Sequence, residues 1–286
     1  MITATKISEV RAAVREWKQQ GFTVGLVPTM GYLHDGHASL VDCASSMCDK
    51  VVVSDFVNPT QFSPTDDLEA YPRDFEHDCE ILRKHNCDMV FYPSVDEMYP
   101  DGNGKTDTYV EILNDMTSQL CGKSRPGHFR GVCTVVSKLF NIVMPDKAFF
   151  GEKDAQQLAV IRRMTRDMSY GIEIVGCPIV READGLAKSS RNTYMNTDER
   201  KAAQVLYRAL QAGKNAIDAG ATDSNKVTGI IQQVIDAEPM AVTDYVSIVD
   251  GITMMPTEEI SDGTLIAIAV YIGKTRLIDN FTYHSR

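Results

Sequence analysis

Short apolar runs alternate with longer amphipathic segments over the first two thirds of this chain. The apolar runs, rich in Val, Ile and Phe, predict strands at 23–28, 50–57, 88–92, 147–151 and 172–180. The segments between them predict helices at 38–49, 73–86, 131–143 and 154–168. Such alternation predicts an α/β fold, in which a Rossmann-like parallel sheet carries helices on both faces and a site at the carboxyl ends of its strands.

The pattern changes after residue 181. Amphipathic segments predict helices at 197–218 and 223–237, and β-branched runs predict strands at 243–249, 264–272 and 275–283. We therefore predict two domains: a Rossmann-like domain over 1–181, and a smaller α+β domain over 182–286 that acts as a lid. The glycines at 102 and 104 predict a loop within the first domain.

Composition excludes several classes of protein. The chain has 286 residues and a net charge of −10, which disfavours nucleic acid or an anionic membrane as a partner. No apolar run approaches the roughly 20 residues of a membrane-spanning helix, and no secretory signal precedes the fold, so we expect a cytoplasmic protein. The seven cysteines form no Cys-x-x-Cys pair, which predicts reduced and mostly buried thiols.

One segment departs from the acidic average. From Met116 to Pro145 the sequence has no Asp or Glu, while it has four cations: Lys123, Arg125, Arg130 and Lys138. In an acidic protein such a stretch can draw anionic substrates towards a cleft. It is equally consistent with a partly buried helix and its entry loop.

The most informative motif follows the first predicted strand. There the chain passes through Pro28-Thr-Met-Gly31 into the turn His34-Asp-Gly-His37, which can begin a helix. Backbone N–H groups at a helix start attract anions, and Gly36 lets a phosphate approach the main chain. The two histidines add donors suited to a triphosphate. Taken alone, paired histidines also serve as metal ligands or as ordinary turn residues.

Four further motifs follow in chain order. They are Phe56-Val-Asn-Pro-Thr-Gln-Phe62, Ser124-Arg-Pro-Gly-His-Phe-Arg-Gly-Val132, Phe150-Gly-Glu-Lys-Asp-Ala-Gln-Gln157 and Lys188-Ser-Ser-Arg-Asn192. With the histidine turn, they span nearly the whole chain and resemble the pantothenate synthetase family of the nucleotidyltransferase-like superfamily. The sequence has no Gly-x-Gly-x-x-Gly fingerprint, which counts against a dinucleotide enzyme.

The resemblance implies an ATP-dependent, AMP-forming ligase that joins pantoate to β-alanine through a pantoyl adenylate and releases pyrophosphate. This chemistry needs stabilisation of developing charge more than a protein nucleophile. ATP is then a co-substrate, Mg²⁺ is expected with it, and a homodimer is the family expectation. The sequence shows no dedicated metal cage, and Asp78 is only a weak candidate for a water-mediated contact.

The resemblance also assigns roles to single residues. His37 is the implied proton donor, and His34, Lys153 and Arg191 are the other implied catalytic residues. The implied ATP-binding residues are Met30, Gly31, Tyr32, Leu33, His34, Asp35, Gly36, His37, Gly151, Glu152, Lys153, Asp154, Val180, Lys188, Ser189, Ser190 and Arg191. Pantoate is assigned to Gln61 and Gln157, with Asn58 assisting, because a neutral amide can bind both a carboxylate and a hydroxyl.

Plainer alternatives remain at several of these positions. The Glu152–Asp154 segment can be a solvated helix start, and the two glutamines can brace loops. Lys188 stands where the family often has an apolar residue, so its ammonium either contacts phosphate or points to solvent. Two rival functions also remain: a nucleotidyltransferase that moves AMP or CMP onto a phosphorylated acceptor, and a nucleotide-binding protein without activity.

Overall fold

A six-stranded parallel sheet organises the N-terminal part of the chain. The computed structural model describes residues 1–63, 68–100 and 106–285, and within them the strand order is β1-β4-β3-β2-β5-β6, with every pairing parallel. The strands are β1 (Ile2–Ala4), β2 (Val24–Thr29), β3 (Lys50–Asp55), β4 (Met89–Phe91), β5 (Lys147–Gly151) and β6 (Glu173–Cys177). The order reverses at β2, and in open parallel sheets ligands bind at such a switch point, beyond the carboxyl ends of the strands.

Helices cover both faces of this sheet. They are α1 (Ile7–Gln19), α2 (Asp35–Met47), α3 (Phe75–Lys84), α4 (Val95–Met98), α5 (Leu120–Ser124), α6 (His128–Val143) and α7 (Ala155–Asp167). Successive residues of a strand point to opposite faces, so Leu26 of β2 joins the core with α1, α6 and α7, whereas Val27 joins the core with α2 and α3. Burial on both faces explains why the central strands are continuously apolar.

The C-terminal part is a three-stranded antiparallel sheet with helices packed on one side. Its elements are α8 (Thr197–Ala202), α9 (Val205–Asp218), α10 (Ser224–Asp236), β7 (Ala241–Asp250), β8 (Thr264–Ile272) and β9 (Thr275–Thr282), with β8 in the middle. Ile266 and Ile268 of β8 pack with α9 and α10, while Leu265 and Ala267 join the core of the parallel sheet. The predicted fold class is confirmed.

A buried ion pair ties the segment after β6 to β9. The guanidinium of Arg181 donates to both carboxylate oxygens of Asp279, at 2.6 and 2.9 Å, and to the carbonyl oxygen of Gly185 at 3.0 Å. The side chain of Asp279 is 1% exposed. Removing one partner of such a pair leaves an uncompensated buried charge, which is strongly destabilising.

Several predicted boundaries were wrong. Strand β1 and helix α1 were not predicted, although Ile7, Val10, Val14 and Trp17 have helical spacing, because Lys6 is not a typical N-cap residue. The predicted helix 197–218 is two helices, interrupted without a Gly or Pro to mark the break. Strand β6 ends at residue 177, since Pro178 cannot donate to the ladder.

Two further observations concern the chain as a whole. The predicted loop at 102–104 lies outside the described residues. Among the residues that the structure does describe, none of the helices combines the length and the apolar character needed to cross a membrane.

Candidate active site

Two cavities of about 230 and about 400 Å³ meet beyond the carboxyl ends of β2 and β5. The smaller cavity contains the histidine turn, both glutamines and the Ser189–Arg191 segment; the larger one lies against β8 and β9. The residues lining both are Arg125, His128, Lys153, Asp154, Gln157, Ser189 and Arg191. Most of the predicted site residues are thus brought together, as convergence of parallel strand ends requires.

His34 and His37 cap the start of α2 reciprocally. The N–H of Gly36 donates to Nδ1 of His34 at 3.1 Å, and the N–H of His34 donates to Nδ1 of His37 at 3.3 Å. The two rings lie with their centroids 4.1 Å apart. Because Nδ1 is the acceptor in each ring, the proton of each neutral imidazole is on Nε2, which leaves two N–H donors for a ligand.

Both imidazoles are held in the neutral form. Burial, together with the charges of Lys153 and Lys188, lowers the pKa of His34 to about 4. Burial also lowers the pKa of His37 well below its usual value, helped by His34 and Lys153. At neutral pH, therefore, these residues offer hydrogen bonds to an anion and carry no full charge of their own.

Lys153 is presented by a short turn between β5 and α7. The side-chain amide of Asn280, on β9, donates to the carbonyl oxygens of Glu152 and Lys153, at 3.1 and 2.8 Å. Gly151 lines the smaller cavity, and a Cβ there would meet no atom within 4 Å. The turn is therefore held by hydrogen bonds to its backbone carbonyl groups, and these bonds fix the position from which the Lys153 side chain extends into the cleft.

The 188–191 segment closes one side of the cleft. The ammonium of Lys188 lies 2.8 Å from the carboxylate of Asp35, at the start of α2. Ser190 is buried and donates to the carbonyl oxygen of Tyr32 at 3.3 Å, and the guanidinium of Arg191 lies 6.0 Å from the centre of the Tyr71 ring. The segment is thus joined to the histidine turn by an ion pair and a hydrogen bond.

The Gln61 side chain is oriented by its neighbours. Nδ2 of Asn58 donates to Oε1 of Gln61 at 3.1 Å, and Nε2 of Gln61 lies 3.0 Å from the sulfur of Met30. Asn58 itself accepts from the hydroxyl of Tyr99 at 2.7 Å and donates to the carbonyl oxygen of Gly131 at 3.2 Å. The Asn58 amide is therefore engaged with protein groups and braces Gln61.

A close approach of two backbones supports the same loop. Gly131 of α6 lies against the 59–61 turn, and a Cβ at this glycine would lie 2.3 Å from the carbonyl oxygen of Thr60. The imidazole of His128 also contacts the carbonyl oxygen of Gln61, at 2.8 Å. Only glycine allows α6 to hold Gln61 at this distance.

Five predicted ATP-binding residues do not line the smaller cavity. Leu33 is buried in the core, Asp35 is exposed and pairs with Lys188, and Glu152 is exposed outside the cleft. Gly31 lines a separate small cavity, and the N–H of Tyr32 is taken by Asp78. Val180, Gly36 and Gln157 do line the cleft.

The sequence did not predict several supporting residues: Asn280, Tyr71, Gly131 and Asp55.

Of the four cations in the 116–145 segment, Arg125 lines both cavities, whereas Arg130 and Lys138 lie over the rings of Tyr109 and Tyr99. Among the residues that line the two cavities, Arg125 is therefore the one Lys or Arg that this segment supplies.

The residues of the site do not fit a metal held by the protein. Within the described parts of the chain, no group of three or more His, Cys, Asp or Glu residues is arranged to bind a metal ion. Asp78, the weak candidate, accepts the N–H groups of Tyr32 and Leu33 at 2.7 and 2.6 Å. Its carboxylate therefore supports the loop before the histidine turn and is not a free ligand.

This fold and cleft are those of an α/β enzyme whose site lies at the carboxyl edge of a parallel sheet. A model of the pantoate-beta-alanine ligase family matches residues 2–282. The chain belongs to the pantoate-beta-alanine ligase family, which confirms the predicted resemblance.

Relatives and solved structures agree along the full chain. It is 54% identical over 283 residues to a pantothenate synthetase of Enterococcus faecalis, covering 99% of each chain. A pantothenate synthetase structure from Thermus thermophilus matches with a TM-score of 0.94 and 44% identity over 100% of each chain. A pantoate-beta-alanine ligase of Francisella tularensis, complexed with beta-gamma ATP and beta-alanine, matches with a TM-score of 0.80 and 35% identity, covering 99% of this chain and 97% of that one. These matches support the ligase interpretation and not the nucleotidyltransferase alternative.

Proposed function

We propose that this cleft joins pantoate to β-alanine at the expense of ATP, forming pantothenate, AMP and pyrophosphate. One observation carries the proposal: two neutral histidines, each with a free Nε2–H, stand beside Lys153 in a cavity that also contains Gln61 and Gln157. This combination suits a phosphoryl group and a small polar acid bound side by side. The family and the Francisella tularensis complex support the same substrates.

In the first step a carboxylate oxygen of pantoate attacks the α-phosphorus of ATP. The new P–O bond forms as the bond to the β-phosphate breaks, and pyrophosphate leaves with its electron pair. Nε2–H groups of His34 and His37 donate to the phosphoryl oxygens as negative charge develops, and the Lys153 ammonium supplies a full positive charge. His37 thus acts as a donor through a hydrogen bond, in keeping with its low pKa.

The Ser189–Arg191 segment receives the leaving pyrophosphate. The Ser189 hydroxyl and the fork-shaped Arg191 guanidinium match the oxygens of that group, while the Ser190 hydroxyl donates to the carbonyl oxygen of Tyr32 and holds the segment in place. We assign Lys188 an indirect part, because its ammonium pairs with Asp35 and closes the cleft rim. Gly151, Asp154 and Val180, which line the same cavity, bind the nucleoside.

Gln61 and Gln157 bind pantoate through its carboxylate and hydroxyls. The supporting observation is that Asn58 and Met30 hold the Gln61 amide in one orientation. In the second step the amine of β-alanine attacks the acyl carbon of the adenylate; the C–N bond forms as the bond from that carbon to the bridging anhydride oxygen breaks, AMP leaves with this oxygen, and the nitrogen loses a proton to solvent. Mg²⁺ would accompany ATP as part of the substrate and would offset the charge of its phosphates, since the described residues offer it no cage.

Three further expectations belong to this proposal. The enzyme is a homodimer that acts in the cytoplasm, as expected for the family. The chain divides near residue 181 into a nucleotide- and pantoate-binding part, 1–181, and a lid, 182–286. The separate apolar core formed by α9, α10 and β8 supports the division. Light scattering with size-exclusion chromatography tests the dimer.

The assay of the proposed function measures pyrophosphate released from ATP in the presence of pantoate. We expect release that depends on pantoate, and pantothenate once β-alanine is added. A parallel reaction with 4′-phosphopantetheine in place of pantoate tests nucleotidyl transfer, and His37→Asn serves as an inactive comparison. Release with phosphopantetheine but not with pantoate would contradict the ligase assignment.

A further inference from the structure

Two buried aspartates meet beneath the loop that precedes the histidine turn. Asp55 ends β3 and is 4% exposed; Asp78 lies in the first turn of α3 and is 1% exposed. The two carboxyl groups converge on one point, since a Cβ at Gly31 would lie 2.3 Å from Oδ1 of Asp55 and 3.2 Å from Oδ2 of Asp78, and they are close enough to share a hydrogen bond. A hydrogen bond between two carboxyl groups requires that one of them keeps its proton, because two carboxylates at this distance repel.

Asp55 is the member of the pair that carries the shared proton. Asp78 accepts two backbone N–H bonds, which favour its charged form, whereas Oδ2 of Asp55 is buried and meets no donor among the described residues. Burial, and then the charge of Asp78, raise the pKa of Asp55 to about 7. Burial raises the pKa of Asp78 as well, against the two N–H bonds, so the two carboxyl groups titrate as a coupled pair.

The pair supports a strained piece of backbone. Gly31 and Tyr32 have φ of +77° and +52°, in the left-handed region, and a Cβ at Gly31 would lie 2.3 Å from Oδ1 of Asp55. Asp78 holds the N–H groups of Tyr32 and Leu33. On one side of this loop is Met30, which contacts Gln61, and on the other is His34, which caps α2.

We propose that Asp55 and Asp78 are positioning residues, a carboxyl pair that shares one proton and holds the Met30–Leu33 loop in the conformation needed for adenylation. Loss of that proton places two negative charges beneath the loop and releases it. The inference rests on the proposed function, because the task of the loop is to present Met30 and His34 to pantoate and ATP.

Among the described residues, four titratable or charged groups lie near the pair, on α3 and just before it. The charge of His77, on α3, favours ionised Asp78, and Cys79 on the same helix is a neutral thiol with a raised pKa, mainly through burial. Arg73 donates to the carbonyl oxygens of Tyr71 and Leu68. Asp74 caps α3 by accepting the N–H of His77.

The test uses the first half-reaction alone: pantoate-dependent exchange of labelled pyrophosphate into ATP, without β-alanine, whose amine has its own titration. Rates are measured from about pH 6 to about pH 8.5, on either side of the pKa of about 7. We expect the KM for ATP of the wild type to rise at least about threefold across this range. Asp55→Asn, whose amide donates to Asp78 at every pH, should give a flat profile.

Two variants separate this role from general destabilisation. Asp78→Asn should raise the KM already at about pH 6, because it loses the charge that binds the loop N–H groups. Asp115→Asn, on an exposed turn, is the matched control and should follow the wild type. A flat wild-type profile, or an Asp55→Asn profile with the wild-type slope, overturns the proposal.

A second measurement does not depend on activity. Carbon-13 NMR of aspartate carboxyl groups in the wild type should show a titration near pH 7 that Asp55→Asn lacks; its absence in the wild type also overturns the proposal, even if the variant does not fold. Exchange that is missing at every pH would refute the proposed function instead, while exchange that is present and independent of pH refutes only the carboxyl pair.

Discussion

Asn280 donates its side-chain N–H to the carbonyl oxygen of Lys153 at 2.8 Å, across 127 residues of sequence. Asn280→Ala removes this bond and the one to Glu152. Since a net hydrogen bond is worth about 0.5–1.5 kcal/mol, we expect kcat for adenylation to fall about two- to tenfold, with little change in the KM for pantoate. Asn215→Ala, on the exposed side of α9, is the control. An unchanged kcat would mean that the lysine turn keeps its conformation without the hydrogen bonds from Asn280.

Lys153→Ala should be far more severe. The ammonium contacts phosphate oxygens whose charge grows in the transition state, so its loss should cost about 2–4 kcal/mol, or about 30- to 1000-fold in rate. Lys147→Ala, at the opposite end of β5 and paired with Glu173, should have normal activity. The measurement is pantoate-dependent pyrophosphate release. A rate for Lys153→Ala within about threefold of wild type would exclude this role.

Substitutions of Lys188 and Arg191 should have very different effects on the reaction rate. Because Lys188 pairs with exposed Asp35, Lys188→Met loses a surface ion pair and should change the rate less than about threefold. Arg191→Ala loses a charge-assisted contact to pyrophosphate worth about 1.5–3 kcal/mol, or about 10- to 150-fold. Inhibition by pyrophosphate should weaken only in Arg191→Ala. Equal defects in the two variants would show that the lysine also contacts phosphate.

Gln61→Ala should separate the two substrates. It leaves polar atoms of bound pantoate without partners, so the KM for pantoate should rise about tenfold or more while the KM for ATP changes little. Steady-state kinetics with each substrate varied in turn measures both constants. Gln20→Ala, at the exposed end of α1, is the control. A parallel increase in both constants would indicate that Gln61 only shapes the loop.

The buried histidine cap should make stability depend on pH. The pKa of His34 is about 4 in the folded protein and 6.5 when unperturbed, so between these values the unfolded chain binds more protons. Stability is therefore full above about pH 6.5 and decreases as the pH falls towards 4. Calorimetry should show a larger fall in Tm over this range for the wild type than for His34→Asn, which keeps a capping acceptor. Equal falls would show that His34 does not titrate in this way.

The sequence predicted the residues that line the cleft better than those that support it. His34, Lys153 and Gln61 follow strand ends, and parallel strands bring their ends to one edge, so local patterns suffice to group them. Asn280 against Lys153, Asp55 against Asp78 and Gly131 against Thr60 are contacts between distant segments. Tertiary packing decides such contacts, and no local spacing signals them.

The same limit applies to the elements. The break between α8 and α9 has no Gly, Pro or cap residue at Ala203 or Gln204, so the apolar periodicity predicted one helix. The end of β6 could have been predicted, because Pro178 lacks the N–H that a strand ladder needs. The apolar residues on both sides of this proline led to a predicted strand that was too long.

Strand β9 carries Asp279 and Asn280 in succession, and neighbouring residues of a strand point to opposite sides. One reaches Arg181, after β6, and the other the lysine turn, so a single strand holds two segments of the first part of the chain. This strand follows every other described element in the chain and leaves the ribosome after them. During synthesis the parallel sheet can form with its histidine turn while the lysine turn still lacks its anchor. The last described strand to be made therefore completes the site by fixing the lysine turn.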